Sequence, residues 1–140
     1  MVTLIGLLAA VALPSYRQVG LKSKATAVMN DFRTFSGALV TYNLQQAKWP
    51  AGTGVPAEIP VEMTSNLPPA FTRPTPIGGN YEWVSNSTYK AAIRIVTTSN
   101  SHMSDDAELV EMIDRLMDDG SLSSGSVQLV AGNLVYIIEQ

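Results

Sequence analysis

The first sixteen residues of the chain carry no charged side chain, and the first charge is at Arg17. Large aliphatic residues crowd this segment, at Leu4, Ile5, Leu7, Leu8, Val11 and Leu13. Burying one such side chain is worth roughly 1.5–3 kcal/mol, so water is a poor environment for the segment. We expect either a lipid bilayer or other copies of the segment to cover it. Any fold that the chain adopts must leave the segment accessible to such a partner.

Three interpretations compete for residues 1–16. A membrane-spanning helix needs about 20 apolar residues, whereas sixteen residues of helix are only about 24 Å long. A signal peptide fits the small residues of Ala10–Ala12, but no Lys or Arg precedes the apolar run as a signal peptide requires. The third interpretation, which we favour, is that the segment opens a longer helix.

A helical pattern indeed continues beyond Pro14. Apolar residues recur at steps of three and four at Ala25, Val28, Phe32, Phe35, Leu39 and Tyr42. Pro14 and Gly20 can bend a helix without ending it. The pattern predicts one bent helix of about 45 residues within 1–48. Its tip, 1–16, would pack in a membrane or filament, and its amphipathic half, 17–48, would lay Val28, Phe32, Phe35, Leu39 and Tyr42 on a sheet.

Charge is divided unevenly along the chain, whose net charge is −3. Residues 1–48 contain five Lys or Arg and one Asp, whereas residues 49–140 contain four Lys or Arg and eleven Asp or Glu. A basic stem therefore carries an acidic head. An acidic head repels phosphate, so we expect no nucleic-acid partner.

The residues that usually carry catalysis are scarce. The chain has no cysteine, which excludes thiol nucleophiles and Cys-based zinc sites, and its one histidine, His102, lies in a polar segment. No metalloprotease, nucleophile-elbow, phosphate-loop or dinucleotide motif is present. We therefore expect no enzyme activity, no catalytic residue, no cofactor, no bound metal and no small-molecule substrate.

Residues 49–79 are predicted to form a long irregular connection. Seven of the eight prolines lie there, at Pro50, Pro56, Pro60, Pro68, Pro69, Pro74 and Pro76. Proline fixes the backbone φ angle and removes a hydrogen-bond donor, so neither a helix nor a central strand is expected. We expect Trp49 and Phe71 to anchor this connection to the core.

Residues 80–140 are predicted to form a sheet and a short helix. Gly78–Asn80 indicates a turn, and strands are expected at Tyr81–Val84, Tyr89–Thr97, Val127–Val130 and Leu134–Ile138. Ala131–Asn133 is interpreted as a three-residue hairpin loop. With the long helix, about four antiparallel strands give an α+β fold, in which globular head 49–140 packs on stem 1–48.

The acidic segment Ser104–Gly120 is predicted to be a helix. Ser104 is the expected N-cap, and Gly120 suits a left-handed terminating position. The expected buried stripe is Leu109, Met112, Ile113, Leu116 and Met117. Asp118 and Asp119 oppose the helix dipole, and we interpret them as a solvated helix end.

The order of residues in 2–16 resembles a known signature. Val2–Tyr16 is similar to the second half of the amino-terminal signature of type IV pilins and type II secretion pseudopilins, on Gly6, Ala9, Ala10, Ala12, Leu13, Pro14 and Tyr16. A less specific resemblance to prepilin-like heads covers Pro74–Trp83, Tyr89–Ala92, Ile113–Gly120 and Leu134–Glu139. Family members carry a basic leader and an early glutamate before this point, which this sequence does not contain, so either Met1 is an internal methionine or the gene is a fragment.

The resemblance implies a pilin-like fold and a structural role. The chain would be a subunit of a type IV pilus-like or type II secretion pseudopilus filament, or of a DNA-uptake fibre, in a polymer with itself or other pilin-like subunits. Before assembly it would lie in the bacterial inner membrane with its head in the periplasm, and afterwards in an extracytoplasmic filament. Leu4, Ile5, Leu7, Leu8, Val11, Leu13 and Pro14 would provide the filament and membrane packing.

Two further points stay open at the sequence level. Some pseudopilin heads bind calcium near loops like Asp118–Ser124, which offers oxygen ligands but lacks the alternating acids of an EF-hand. The alternative function is a membrane-tethered or exported binding module that recognises a ligand through the proline-rich connection. Such a module would stay monomeric in detergent, whereas a filament subunit needs contact between stems.

Overall fold

A computed structural model describes the backbone of residues 2–140 and the side chains of residues 17–140. Helix α1 spans Val2–Gln46, which confirms the prediction of one continuous helix of about 45 residues. Pro14 and Gly20 both lie within it. Among the residues described, no helix combines the length and the hydropathy needed to cross a membrane.

Four strands form one antiparallel sheet. They are β1 (Asn80–Val84), β2 (Ala91–Val96), β3 (Val127–Val130) and β4 (Asn133–Glu139), and their order across the sheet is β1-β2-β4-β3. Helix α2 (Ala107–Met117) lies between β2 and β3 in the chain. The α+β class, the long helix, the sheet of four strands and the short acidic helix are therefore all confirmed.

The sheet has a core face and an outer face. Tyr81 pairs with Ile95 and Trp83 with Ile93 on the core face, where all four side chains are buried. Between them on the outer face, the Arg94 guanidinium donates to both carboxylate oxygens of Glu82, at 3.1 and 2.9 Å. The alternation follows from the period of two in a strand, which sends successive side chains to opposite faces.

The connection 49–79 is irregular apart from two short 3-10 turns, Val61–Met63 and Pro69–Thr72. Phe71 is fully buried, and the Trp49 ring lies 6.0 Å from Trp83. The Trp83 indole donates to the Pro50 carbonyl at 3.0 Å. These contacts hold the connection on the core.

One sequence prediction about loop geometry was wrong. The hairpin between β3 and β4 pairs Val130 with Asn133, so its loop has two residues and not three. Ala131 and Gly132 both have positive φ angles, of 52° and 79°, as the two central residues of a type I′ turn do. Such a turn matches the right-handed twist of the flanking strands, which favours the tighter connection.

Helix α2 also begins later than predicted. Asp106 and not Ser104 is the N-cap, because its carboxylate accepts from the Glu108 amide at 3.1 Å. Ser104 instead accepts from the Asp106 amide at 3.2 Å. Of the expected buried stripe, Leu109 and Ile113 are buried, while Met112, Leu116 and Met117 are half-buried; Val110 and Asp114 are buried in addition.

Candidate functional site

The described half of α1 is attached to the sheet by one stripe of side chains. Leu21, Ala25, Val28, Phe32, Phe35, Leu39 and Tyr42 are all buried. The Phe35 ring lies 5.0 Å from Tyr81 of β1 and 5.1 Å from Phe71 of the connection, in edge-to-face contacts. Such aromatic pairs contribute beyond the area that they bury. The helix, the sheet and the connection therefore share one core.

A partly buried hydrogen bond fixes the rotation of α1 on the sheet. The Tyr81 hydroxyl donates to the Asp31 carboxylate at 2.6 Å, and Asp31 is the only acid in α1. Burial, together with the Asp31 carboxylate, raises the pKa of Tyr81, so the phenol keeps its proton and remains a donor.

A charged contact marks the place where the apolar segment meets the head. The Arg17 guanidinium lies 3.3 Å from the Asp106 carboxylate and 3.4 Å from the Glu108 carboxylate, both at the start of α2. Acids at a helix N-terminus also complement the helix dipole. The first cation after the apolar segment is thus bound to the first turn of α2.

The residues expected to pack in a filament or a membrane lie in this apolar segment. Leu4, Ile5, Leu7, Leu8, Val11, Leu13 and Pro14 have side chains outside the described residues. What the structure gives for them is the backbone, since α1 begins at Val2. The segment is therefore part of the same helix that packs on the sheet.

Three carboxylates converge at the end of α2. Oxygen atoms of Asp114, Asp118 and Asp119 lie within 4.8 Å of one another. Asp114 is fully buried, and neither of its carboxylate oxygens has a hydrogen-bond partner among the described residues. Burial, followed by the charges of Asp119 and Asp118, raises the pKa of Asp114 from 3.8 to about 6.

The loop after α2 holds two of these carboxylates in place. Asp118 accepts from the amides of Ser126 and Val127, and Asp119 accepts from the Ser121 amide at 2.9 Å and the Ser124 hydroxyl at 2.7 Å. Hydrogen bonds from Ser124 and Ser121 lower the pKa of Asp119, which favours its charged form. A negatively charged Asp119 carboxylate therefore lies next to the buried Asp114.

This arrangement has the chemistry of a site for a hard cation. Calcium takes six to eight oxygen ligands at about 2.3–2.6 Å, so two opposite ligand oxygens stand about 4.8 Å apart. An unpaired buried carboxylate is costly, and a cation would remove that cost. The sequence pattern favours a solvated helix end for Asp118 and Asp119 and does not single out Asp114. The available signal was its spacing, because Asp114 follows Val110 by four residues and so falls on the buried side of α2.

His102 belongs neither to the apolar segment nor to the cluster of Asp114, Asp118 and Asp119. Its side chain is two-thirds exposed, and its Nε2 atom lies 3.6 Å from the exposed Asp105 carboxylate. A catalytic triad needs a buried acid and a nucleophile within hydrogen-bond reach of the histidine. An exposed pair of this kind is the ordinary behaviour of a surface histidine.

The arrangement of a long helix on a small antiparallel sheet has a counterpart among solved structures. The chain is similar to the major type IV pilin PilA1 from Clostridium difficile, with a TM-score of 0.61, over 86% of this chain and 97% of that one. The fold is pilin-like. Sequence identity to PilA1 is 15%, so the likeness establishes the fold. By sequence, this chain matches no protein-family profile and no curated protein.

Proposed function

We propose that this chain is a structural subunit of a pilus-like or secretion pseudopilus filament, and that residues 1–16 drive its assembly. The observation that carries the proposal is the continuity of α1 from Val2 to Gln46. The other half of this helix is docked on the head, so the apolar segment continues directly from the docked part. Identical segments can then pack side by side and remove their leucine-sized side chains from water.

In this proposal the protein lies in the inner membrane, head in the periplasm, until it enters an extracytoplasmic filament with itself or with other pilin-like subunits. The stem 1–48 assembles and the head 49–140 faces outward. The pilin-like fold supports this division, because PilA1 is itself named as a major type IV pilin. The acidic head adds mutual repulsion at the filament surface, which keeps assembled fibres apart.

A charge placed in the apolar segment tests the proposal. Leu8→Glu or Val11→Glu should abolish filaments recovered from cells by shearing, because a carboxylate cannot be buried unpaired among the packed segments. Gln45→Glu adds the same charge at an exposed position of the same helix and should assemble normally. If the Leu8→Glu chain still assembled, the filament function would be refuted.

The same variants separate the filament subunit from the alternative function. A tethered binding module that uses the proline-rich connection should be monomeric in detergent. It should also keep its ligand when Leu8 is charged. A wild-type chain that sediments as a monomer at all concentrations would favour that alternative.

A second function is favoured by the buried Asp114. We propose that Asp114, Asp118 and Asp119 bind a divalent cation of the calcium type, which ties the end of α2 to the loop before β3. A cation that binds only the folded chain stabilises it, by about 2.7 kcal/mol when its concentration is a hundred times the dissociation constant.

Chemical denaturation in calcium and in EDTA tests this second function. Calcium should raise the free energy of unfolding of the wild-type protein by roughly 1–3 kcal/mol. Asp114→Asn should remove that increase, whereas Asp105→Asn, at an exposed acid outside the cluster, should preserve it. An equal response of the wild-type and Asp114→Asn proteins would exclude the cation site.

A further inference from the structure

One face of α1 points away from the head between Val19 and Leu44. We define the outer face of α1 by Val19, Lys22, Asn30, Arg33, Val40 and Leu44, all of which are exposed. Their spacing follows the helical repeat, and they lie opposite the stripe that packs on the sheet. The sheet and α2 pack on the other side, so no described part of the same subunit covers this face.

The composition of the outer face is unusual for a surface that meets only water. Val19 is 66% exposed and Leu44 is 79% exposed, and a shallow groove of about 440 Å³ runs past Val19, Lys22 and Asn30. Isolated exposed apolar residues are common on proteins. Here they recur along one face of one helix, which marks a surface that another molecule can cover.

The outer face is also purely cationic. Among the described residues, neither Lys22 nor Arg33 has an ion-pair partner. The one acid of α1, Asp31, is already bound to Tyr81 on another side of the helix. A partner for this face should therefore bring carboxylates.

The same chain carries a surface of the required charge. We define the acidic corner by Asp105, Glu108 and Glu111, at the start of α2. Their side chains are 94%, 58% and 46% exposed, respectively. Their partners within the subunit are one surface histidine and two exposed arginines, which leaves the Asp105 carboxylate open to solvent.

We propose that the outer face of α1 in one subunit binds the acidic corner of α2 in a second copy of the chain. The contact pairs Lys22 and Arg33 with carboxylates and removes Val19 from water. It joins two different surfaces of one chain, and a contact of that type builds open-ended helical polymers rather than closed dimers. The proposal rests on the filament function above and names its intersubunit contact.

Engineered cysteines test the contact directly, because the chain has no cysteine of its own. Full-length protein carrying both Asn30→Cys and Asp105→Cys, assembled in its native cells and treated with a short bifunctional thiol reagent, should give a ladder of covalent multimers. A chain with Asn30→Cys and Ser65→Cys, whose second cysteine lies in the exposed part of the connection, should give no ladder. Filaments with a ladder only in the control pair would overturn the proposal.

A charge exchange provides the second test. Lys22→Glu with Arg33→Glu should lower the assembled fraction about tenfold, and Asp105→Lys with Glu111→Lys should do the same, because each places like charges in contact. Combining all four substitutions should restore assembly to within about threefold of wild type. High salt should weaken wild-type assembly, since exposed pairs are screened.

The outcomes separate this inference from the filament function. If the wild-type chain forms filaments but neither reversal weakens them, or the combination fails to restore them, the docking contact is refuted while the filament stands. If the wild-type chain forms no filament, the function itself fails. If Lys22 and Arg33 are instead needed for binding to anionic phospholipid vesicles and no ladder forms, a membrane surface is the occupant and the proposal is overturned.

Discussion

Single residues in this protein hold backbone and charge in states that cost free energy. Ala131 has a φ angle of 52°, in the left-handed region where a Cβ atom is crowded. Asp114 is a buried carboxylate that accepts no hydrogen bond from the residues whose side chains are described. The left-handed conformation of Ala131 is a local cost of the tight hairpin, and the pairing of β3 with β4 imposes it. The burial of Asp114 comes from the packing of α2 against the rest of the head, and it is the reason for proposing that Asp114 binds a cation.

At the β3–β4 turn, Ala131→Asn should raise the free energy of unfolding by roughly 0.5–1 kcal/mol. Asparagine tolerates the left-handed conformation better than alanine, and Asn-Gly is the preferred pair for a type I′ turn. Urea denaturation measures the change. Gly132→Ala, which adds a Cβ atom at a φ angle of 79°, should lower stability instead, and stabilisation by both substitutions would argue against the turn.

At Asp114, the protein should depend on pH in EDTA. Its pKa is about 6 in the folded chain against 3.8 ordinarily, so between these values the folded state holds a proton that the unfolded state releases. The contribution of this group to the free energy of unfolding should therefore fall as pH rises from about 4 to about 6. Denaturation at several pH values should show a flatter profile for Asp114→Asn. An unchanged profile would assign the dependence to other groups.

At the scale of elements, α1 is held by its contacts rather than by its own sequence preference. Its buried stripe inserts between the sheet and the connection, and Phe35 touches an aromatic ring from each of them. Helices in proteins gain most of their stability from such packing. The opposite side of the same helix has no partner among the described residues of the subunit, which is why the two sides of α1 should respond so differently to substitution.

Phe35→Ala should lower the free energy of unfolding by roughly 3–5 kcal/mol, because it leaves a cavity among Tyr81, Phe71 and the helix. Leu44→Ala, on the outer face of α1, should change it by less than about 0.5 kcal/mol. Guanidinium denaturation of the two variants compares the two sides of one helix. A large loss for Leu44→Ala in the isolated subunit would contradict the assignment of an unpartnered face.

At the scale of the whole molecule, one hydrophobic cluster joins every part of the described fold. It contains Phe32 and Leu39 of α1, Phe71 of the connection, Trp83 of the sheet and Ile113 of α2. A core shared by all these elements makes unfolding cooperative, because no element can leave without exposing the others. The head and the described half of the stem are therefore one folding unit, although their charges have opposite signs.

Cooperativity can be tested with two probes. Far-UV circular dichroism follows the helices, and tryptophan fluorescence follows the half-buried Trp49 and the fully buried Trp83. The two should report the same denaturation midpoint in conditions that keep the chain monomeric. A helix signal that melts clearly before or after the fluorescence would show that α1 and the sheet unfold separately.

The sequence by itself determined what depends on local order. Apolar residues at steps of three and four predicted α1 and its buried side; alternation and turn residues predicted the four strands; and seven prolines predicted an irregular connection. These patterns act between near neighbours in the chain, so a single sequence displays them. The apolar segment before Arg17 likewise indicated a need for cover, whatever the fold of the rest.

Tertiary structure alone decided which distant groups meet. The order β1-β2-β4-β3, the contact of Arg17 with Asp106 and Glu108, and the burial of Asp114 join residues far apart in the chain or on separate elements. Even the N-cap of α2 depends on tertiary structure, because Ser104 and Asp106 can both cap a helix and only Asp106 does so. Such outcomes depend on how surfaces pack against each other, and packing is a property of the whole chain that no short stretch of sequence contains.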